Sequence, residues 1–402
     1  LAAAFFIIAG IICLQFDWSR QLLKSVYYGE SKYCIKVIQQ YFRPVVRKPK
    51  NTIQLKIDAP AFESLQIHSK NASLKTLLGK NEKQFFPVLV NDSIKGRIRL
   101  KGNLNEHRIE NQWSFKVNLS KGLTLLSCEE FCLLKPERRG IVSELFMHEF
   151  LKKEGFISLH YDFINLQLNN LPISTYAIEE GFNDTLLFKN KRTVSPIIKL
   201  DDYQYFIDNR NNLAEGYPAK AKIDCSNKKG KLETDILEAK KLLSDFCTQK
   251  KSASQVFDIE KIGSFFATMD LLGNTHSIVW YNIRFYYNKT NQRLEPIGYD
   301  GNRHDNIENI LYSKWLLKKY PVAKHVWIDN FFQDPTFIAA YFKALKRISS
   351  PNYLENFMTS INDKLELNTQ IIQSDHRYYL FYDYKYFINR DLILRELTHH
   401  KK

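Results

Sequence analysis

The 402-residue sequence contains no GxxxxGK[ST] loop and no GxGxxG turn, which removes P-loop NTPases and dinucleotide-binding folds from consideration. It also lacks HExxH. The nearest run, "HEFLKKEG", holds His148 and Glu149 but has Lys152 where a second histidine would stand, so a zinc-protease centre is unsupported. Zinc-finger spacing, basic heptads, internal repeats and low-complexity tracts are absent as well. Of six cysteines, Cys128 and Cys132 in "CEEFC" stand four apart, with no second Cys/His pair at a metal spacing. They read as two free thiols or a local disulfide rather than as zinc ligands.

What is present is a chain of 44% hydrophobic and 14% aromatic residues, enough to fill a core and incompatible with global disorder. A net charge of +15 favours anionic partners such as nucleotides, acidic substrates or lipid headgroups. Nucleic acid is not among the expected partners. The densest basic run, "RPVVRKPK" from Arg43 to Lys50, reads as a solvated linker.

Residues 1–16, "LAAAFFIIAGIICLQF", read as a hydrophobic anchor continuing from residues upstream, since a bilayer span needs about 20 apolar residues. No small-residue cleavage site follows, which disfavours a removed signal peptide. The expected localisation is therefore membrane-anchored through a single N-terminal helix, with the extracytoplasmic side preferred. Residues 17–50 suggest an amphipathic helix and linker. Residues 51–200 are strand-rich, with "IQLKID", "FFPVLV", "IKGRIRLKG" and "QWSFKVNL" preceding a helix from Val142 to Glu154. Residues 201–402 are mostly helical, with predicted helices over Thr234–Thr248, Asp258–Leu272 and Pro335–Ile348 and a hairpin embedded at 281–299. Strands followed by helices predict a two-lobed α+β protein.

The hairpin carries chemistry. "YNIRFYYN" alternates, "KTNQ" turns, and "RLEPIGYD" returns to Asp300, with Gly301 behind it. An antiparallel hairpin sets Asn282 beside Asp300, with His276 close to both. An Asn and an Asp meeting at a loop edge supply the hard oxygens that Mg²⁺ takes when it also binds substrate phosphates. Asx-turns or caps at the same positions are the bland reading.

The blocks "GRIRLKGN…WSFKVNL", "RRGIVSELFMHEFLKKEGFISLHYDFINLQLNNLPISTYAIEEGF" and "GNTHSIVWYNIRFYYN…EPIGYDGN" occur in order over residues 50–305. Together they resemble the CotH kinase-like family of atypical, spore-coat-related kinases. That resemblance implies a divergent protein-kinase-like fold, with a strand-rich N-lobe, a helical C-lobe, and ATP and Mg²⁺ as cofactors. It implies a cofactor-binding role for Lys116 and Glu180, metal binding by Asp300 and Asn282, and a protein or envelope component as the phosphate acceptor. The departure is His276, which stands in "GNTHS" where active members carry Asp. With Asn282 it is the candidate catalytic pair, because an imidazole can act as a general base near neutral pH. An inactive pseudokinase scaffold is the alternative. Read without the resemblance, Lys116 is a solvent-facing strand lysine. Glu144 is either its partner or a first-turn helix glutamate. Arg99, Lys101 and His107 are either phosphate grips or ordinary loop residues.

Overall fold

The structure is a computed structural model that describes residues 51–75, 83–102, 113–201, 217–227, 233–301, 304–318, 322–377 and 379–400. In its first half the strands are β1 (Thr52–Lys56), β2 (Phe86–Val90), β3 (Ile94–Leu100), β4 (Phe115–Leu119), β5 (Glu130–Leu134), β6 (Tyr161–Leu168) and β7 (Ser174–Glu180). Among the described residues these seven close into a barrel of order β1-β2-β3-β4-β5-β7-β6. The seam is a parallel pairing of β1 with β6, in register Thr52↔Asn165 to Leu55↔Leu168. One side of each strand supplies the barrel interior, with Ile53, Val88, Ile98, Phe115, Val117, Phe131, Leu133, Leu166 and Ile178 in one apolar cluster. Helix α1 (Ala59–Ser73) adds Leu65 to that cluster.

This corrects the expected fold class. A closed barrel is not the two-lobed protein-kinase arrangement, and that fold is withdrawn. The physical reason is that β1 hydrogen-bonds on both edges, to β2 and to β6, which leaves no open sheet. Alternation along each strand reveals the inward face but not whether the two ends of a sheet meet.

A second sheet has the order β11-β10-β8-β9, built from β8 (Ile197–Leu200), β9 (Ile223–Cys225), β10 (Arg284–Asn288) and β11 (Arg293–Ile297). Around it lie α2 (Val142–Lys153), α3 (Asp184–Lys189), α4 (Tyr217–Lys220), α5 (Glu233–Cys247), α6 (Ala253–Val256) and α7 (Ile259–Leu272). The chain ends with α8 (Leu311–Leu316), α9 (Val322–Phe332), α10 (Pro335–Ile348), α11 (Tyr353–Ile372) and α12 (Tyr384–His399). Their core is strongly aromatic. Phe146 of α2 stacks on Tyr386 at 4.2 Å, and Phe246, Phe257, Phe331 and Trp327 form a continuous cluster. The outer faces of β5, β6 and β7 join this second core through Cys132, Leu134, Tyr161, Phe163 and Ala177. The barrel wall therefore has apolar surface on both sides, and the helical part packs against it.

No helix among the described residues is long and apolar enough to cross a membrane. The apolar run at 1–16 and the amphipathic segment and linker at 17–50 lie outside the described residues. The expected single-helix membrane anchor, and the extracytoplasmic placement attached to it, have no support in the structure and are set aside. Cys128 and Cys132 are both buried free thiols.

Candidate functional site

The site forms where the outer wall of the barrel meets the segment that follows β11. Helix α7 is capped at its start by Asp258, whose carboxylate accepts from the Lys261 amide, and is terminated by Gly273 with φ 64°. A Cβ there would stand 1.7 Å from the Asp305 carbonyl oxygen, so the helix exit has room only for glycine. The next residue, Asn274, is fully buried. It donates to Ser277 Oγ at 3.0 Å and to Met147 Sδ at 3.1 Å, and accepts from the Ser277 amide. This turn fixes the loop that carries His276.

Hairpin β10–β11 pairs Arg284 with Ile297, so its open end presents residues 282 and 299–300 on adjoining chains. Asn282 donates through Nδ2 to the His276 carbonyl at 3.1 Å. His276 Nε2 stands 3.8 Å from Asp300 Oδ2. Asp300 has φ 56°, a left-handed conformation that Asp tolerates better than most residues. Its side chain is 15% exposed, against 37% for His276. These two side chains form the mouth of the site.

Behind the mouth runs a chain of alternating charge. Arg139, in the 3-10 turn Pro136–Arg139 just before α2, pairs with Asp300 through Nη1. It donates from Nη2 to the Tyr299 hydroxyl at 3.1 Å and from Nε to Glu179 Oε2 at 3.2 Å. The other oxygen of Glu179 meets Lys101 Nζ at 2.5 Å. Glu179 and Arg139 are almost entirely buried, and each charge survives burial because it is paired on both sides. Burial alone would raise the Glu179 pKa, but Lys101 and Arg139 outweigh it and hold the carboxyl near about 2. Burial likewise opposes the charge on Lys101, yet Cys132, Glu179 and Tyr299 together raise its pKa.

Arg284 closes the other flank. Its guanidinium lies 4.7 Å from the Phe182 ring centroid and 4.3 Å from that of Tyr299. Glu144 of α2 is fully buried on the inner side, where its Oε2 comes within 2.8 Å of the place a Cβ on Gly301 would occupy. Burial, reinforced by Asp300, raises the Glu144 pKa despite His148 and Arg139. Lys101, Arg139 and Arg284 thus surround two carboxyl groups, Glu179 and Asp300, and three cationic groups against two carboxyl groups favour an anionic ligand.

His276, Asn282 and Asp300 are brought together. Lys116 and Glu180 have other partners. Lys116, on the outer face of β4, pairs with Glu130 at 2.5 Å, and the lysine that reaches the Tyr299–Asp300 segment is Lys101. Glu180 accepts from Lys189 at 2.7 Å and from the His160 amide at 3.0 Å, and the glutamate in the charge chain is its neighbour Glu179. Parity carries this distinction. Tyr176 and Ile178 line the barrel interior, which puts Ala177 and Glu179 on the outer face. Arg139, Tyr299, Phe182 and Arg284 carried no sequence signal of their own, apart from the first preceding a helix. His107 lies outside the described residues.

Among the described residues no group of three or more His, Cys, Asp or Glu could hold a metal ion. The chain matches no protein-family model and no curated protein.

Proposed function

We propose that this junction binds a nucleotide, ATP with Mg²⁺, and that the bound nucleotide passes a phosphoryl group to a protein or envelope component. The observation that carries the reading is Asp300, a partly exposed carboxylate at the end of the buried Lys101–Glu179–Arg139 chain and 3.8 Å from an imidazole. The resemblance to CotH-type sequences points the same way without requiring their fold. The donor chemistry suits Mg²⁺, which binds proteins through one or two carboxylates and completes its shell with water and substrate phosphates. Asp300 and Asn282 would hold the ion, with the Glu144 oxygen behind Gly301 as a further hard donor. The ion would neutralise phosphate charge. Lys101 and Arg284 would orient the phosphates, and His276 would accept the proton of the attacking hydroxyl.

A second reading, an inactive nucleotide-binding scaffold, has its own support. The Arg139 guanidinium already sits on the Asp300 carboxylate, and His276 stands where the resemblance implies a carboxylate. Thermal denaturation with and without ATP and Mg²⁺ tests what the two readings share. The wild type should gain melting temperature and Asp300→Ala should not, whereas a wild type indifferent to nucleotide overturns both. Incubation with labelled ATP then separates them by turnover.

A further inference from the structure

The outer face of β3 carries Lys95, Arg97 and Arg99 at alternate positions, and Lys101 continues the row into the site. Neighbouring strands do not neutralise it. Arg99 lies opposite Lys116, Arg97 opposite Asn118 and Pro87, and Lys95 opposite Leu89. Like charges facing each other across strands are unfavourable. The nearby carboxylate, Glu130, is occupied by Lys116. Among the described residues Lys95 and Arg97 have no carboxylate partner, and half-buried Arg99 feels Glu130 only at a distance, without an ion pair. Arg99 donates instead to the Leu100 carbonyl at 2.8 Å. The guanidinium carbons of Arg97 and Arg99 lie 5.2 and 5.4 Å from the centroid of the Phe85 ring, within cation–π range for both.

We infer that this row is a track for an extended acidic peptide segment, whose far end reaches the Lys101–Asp300 site. Alternate side chains on a strand recur about every 6.7 Å, and an extended peptide with acidic residues at every second position repeats its carboxylates at the same interval. Planar guanidinium groups match carboxylates with paired hydrogen bonds. Single-stranded nucleic acid fits less well, because its binding surfaces offer open aromatic faces for stacking. Here Phe85 is engaged by the two arginines and Tyr299, at the Lys101 end, by Lys101, Arg139 and Arg284. The inference rests on the reading above for the phosphoryl acceptor, which it identifies as an acidic peptide. The binding step stands apart from any transfer.

The test is fluorescence anisotropy of the full chain with a labelled peptide carrying Glu at alternate positions, at low and at physiological ionic strength. Binding should weaken with salt and fall at least about tenfold in the double variant Lys95→Glu, Arg97→Glu. The nucleotide-induced melting shift of that variant should match wild type. Both substituted residues are exposed, so the variant should fold, and circular dichroism of the variant checks this. Arg97→Lys should restore most of the affinity lost on charge reversal. The track is overturned if wild type ignores the peptide, if the double variant binds it equally, or if a peptide with the same residues and its Glu clustered binds as well. Tighter binding of a single-stranded RNA of equal charge also overturns it. Peptide binding without any nucleotide-induced shift would leave the track standing and remove the phosphoryl-transfer reading.

Discussion

Lys101 and Glu179 are separated by two intervening barrel strands, β4 and β5, yet their charged atoms meet at 2.5 Å. The contact ties the end of β3 to the far side of the barrel wall. Through Arg139 it reaches the loop that follows β11.

Glu179→Gln should be among the more damaging conservative substitutions in the protein. It leaves Lys101 and Arg139 buried beside a neutral amide, and breaking a buried pair costs about 3–5 kcal/mol. Lys116→Ala, which removes a pair whose partners are 24% and 28% exposed, should cost less than about 1 kcal/mol. Urea denaturation of the two variants measures the contrast, and equal losses would contradict the assignment of the buried network.

The pH dependence of stability should have two components of opposite sign. Glu179, held near about 2, contributes stability that is fully present above pH 4.5 and lost as pH falls toward 2. Asp270 behaves in reverse. Burial raises its pKa to about 7, although Tyr341 and the Leu311 amide donate to it. Its contribution is complete below pH 3.8, declines as pH rises and is gone above pH 7. At roughly 1.4 kcal/mol per pKa unit, that contribution is about 4 kcal/mol. Asp270→Asn should remove the decline between pH 4 and 7 while leaving the acid limb in place. Chemical denaturation across pH checks this, and an unchanged slope would exclude Asp270 as its source.

Gly273→Ala should be severely destabilising, because both its φ of 64° and the 1.7 Å approach of the Asp305 oxygen exclude a Cβ. Gly122→Ala is the control. Its φ is 80°, but nothing lies within 4 Å of the added carbon, so only backbone strain of about 1–2 kcal/mol is expected. Soluble yield and melting temperature of the pair distinguish steric exclusion from strain.

Lys101→Ala should abolish the nucleotide-induced rise in melting temperature, and Lys116→Ala should leave it intact. The reverse pattern would return the phosphate-binding role to Lys116. If turnover of ATP is found, His276→Ala should lower it about 10²–10⁴-fold without comparable loss of nucleotide affinity. Turnover unaffected by that substitution would remove His276 as the base and leave the scaffold reading in place.

What the sequence determined by itself was local. The helix expected over Val142–Glu154 forms at Val142–Lys153, and that over Pro335–Ile348 forms at those residues, because apolar spacing, joined in the second by the Asp334 cap, acts within a turn or two. The hairpin around "KTNQ" and the neighbourhood of His276, Asn282 and Asp300 follow from antiparallel pairing over a short separation. The closure of the barrel was decided elsewhere, by β1 pairing with a strand more than a hundred residues away. Hydrogen-bonding edges carry no sequence label for their partners. The same holds for the site. Arg139 finds Tyr299 at a separation of 160 residues, and the lysine and glutamate that join it were settled by which faces of β3 and β7 turn outward once the barrel closed. Adjacent residues on a strand point to opposite sides, so Glu180 and Glu179 have different partners although the sequence places them together.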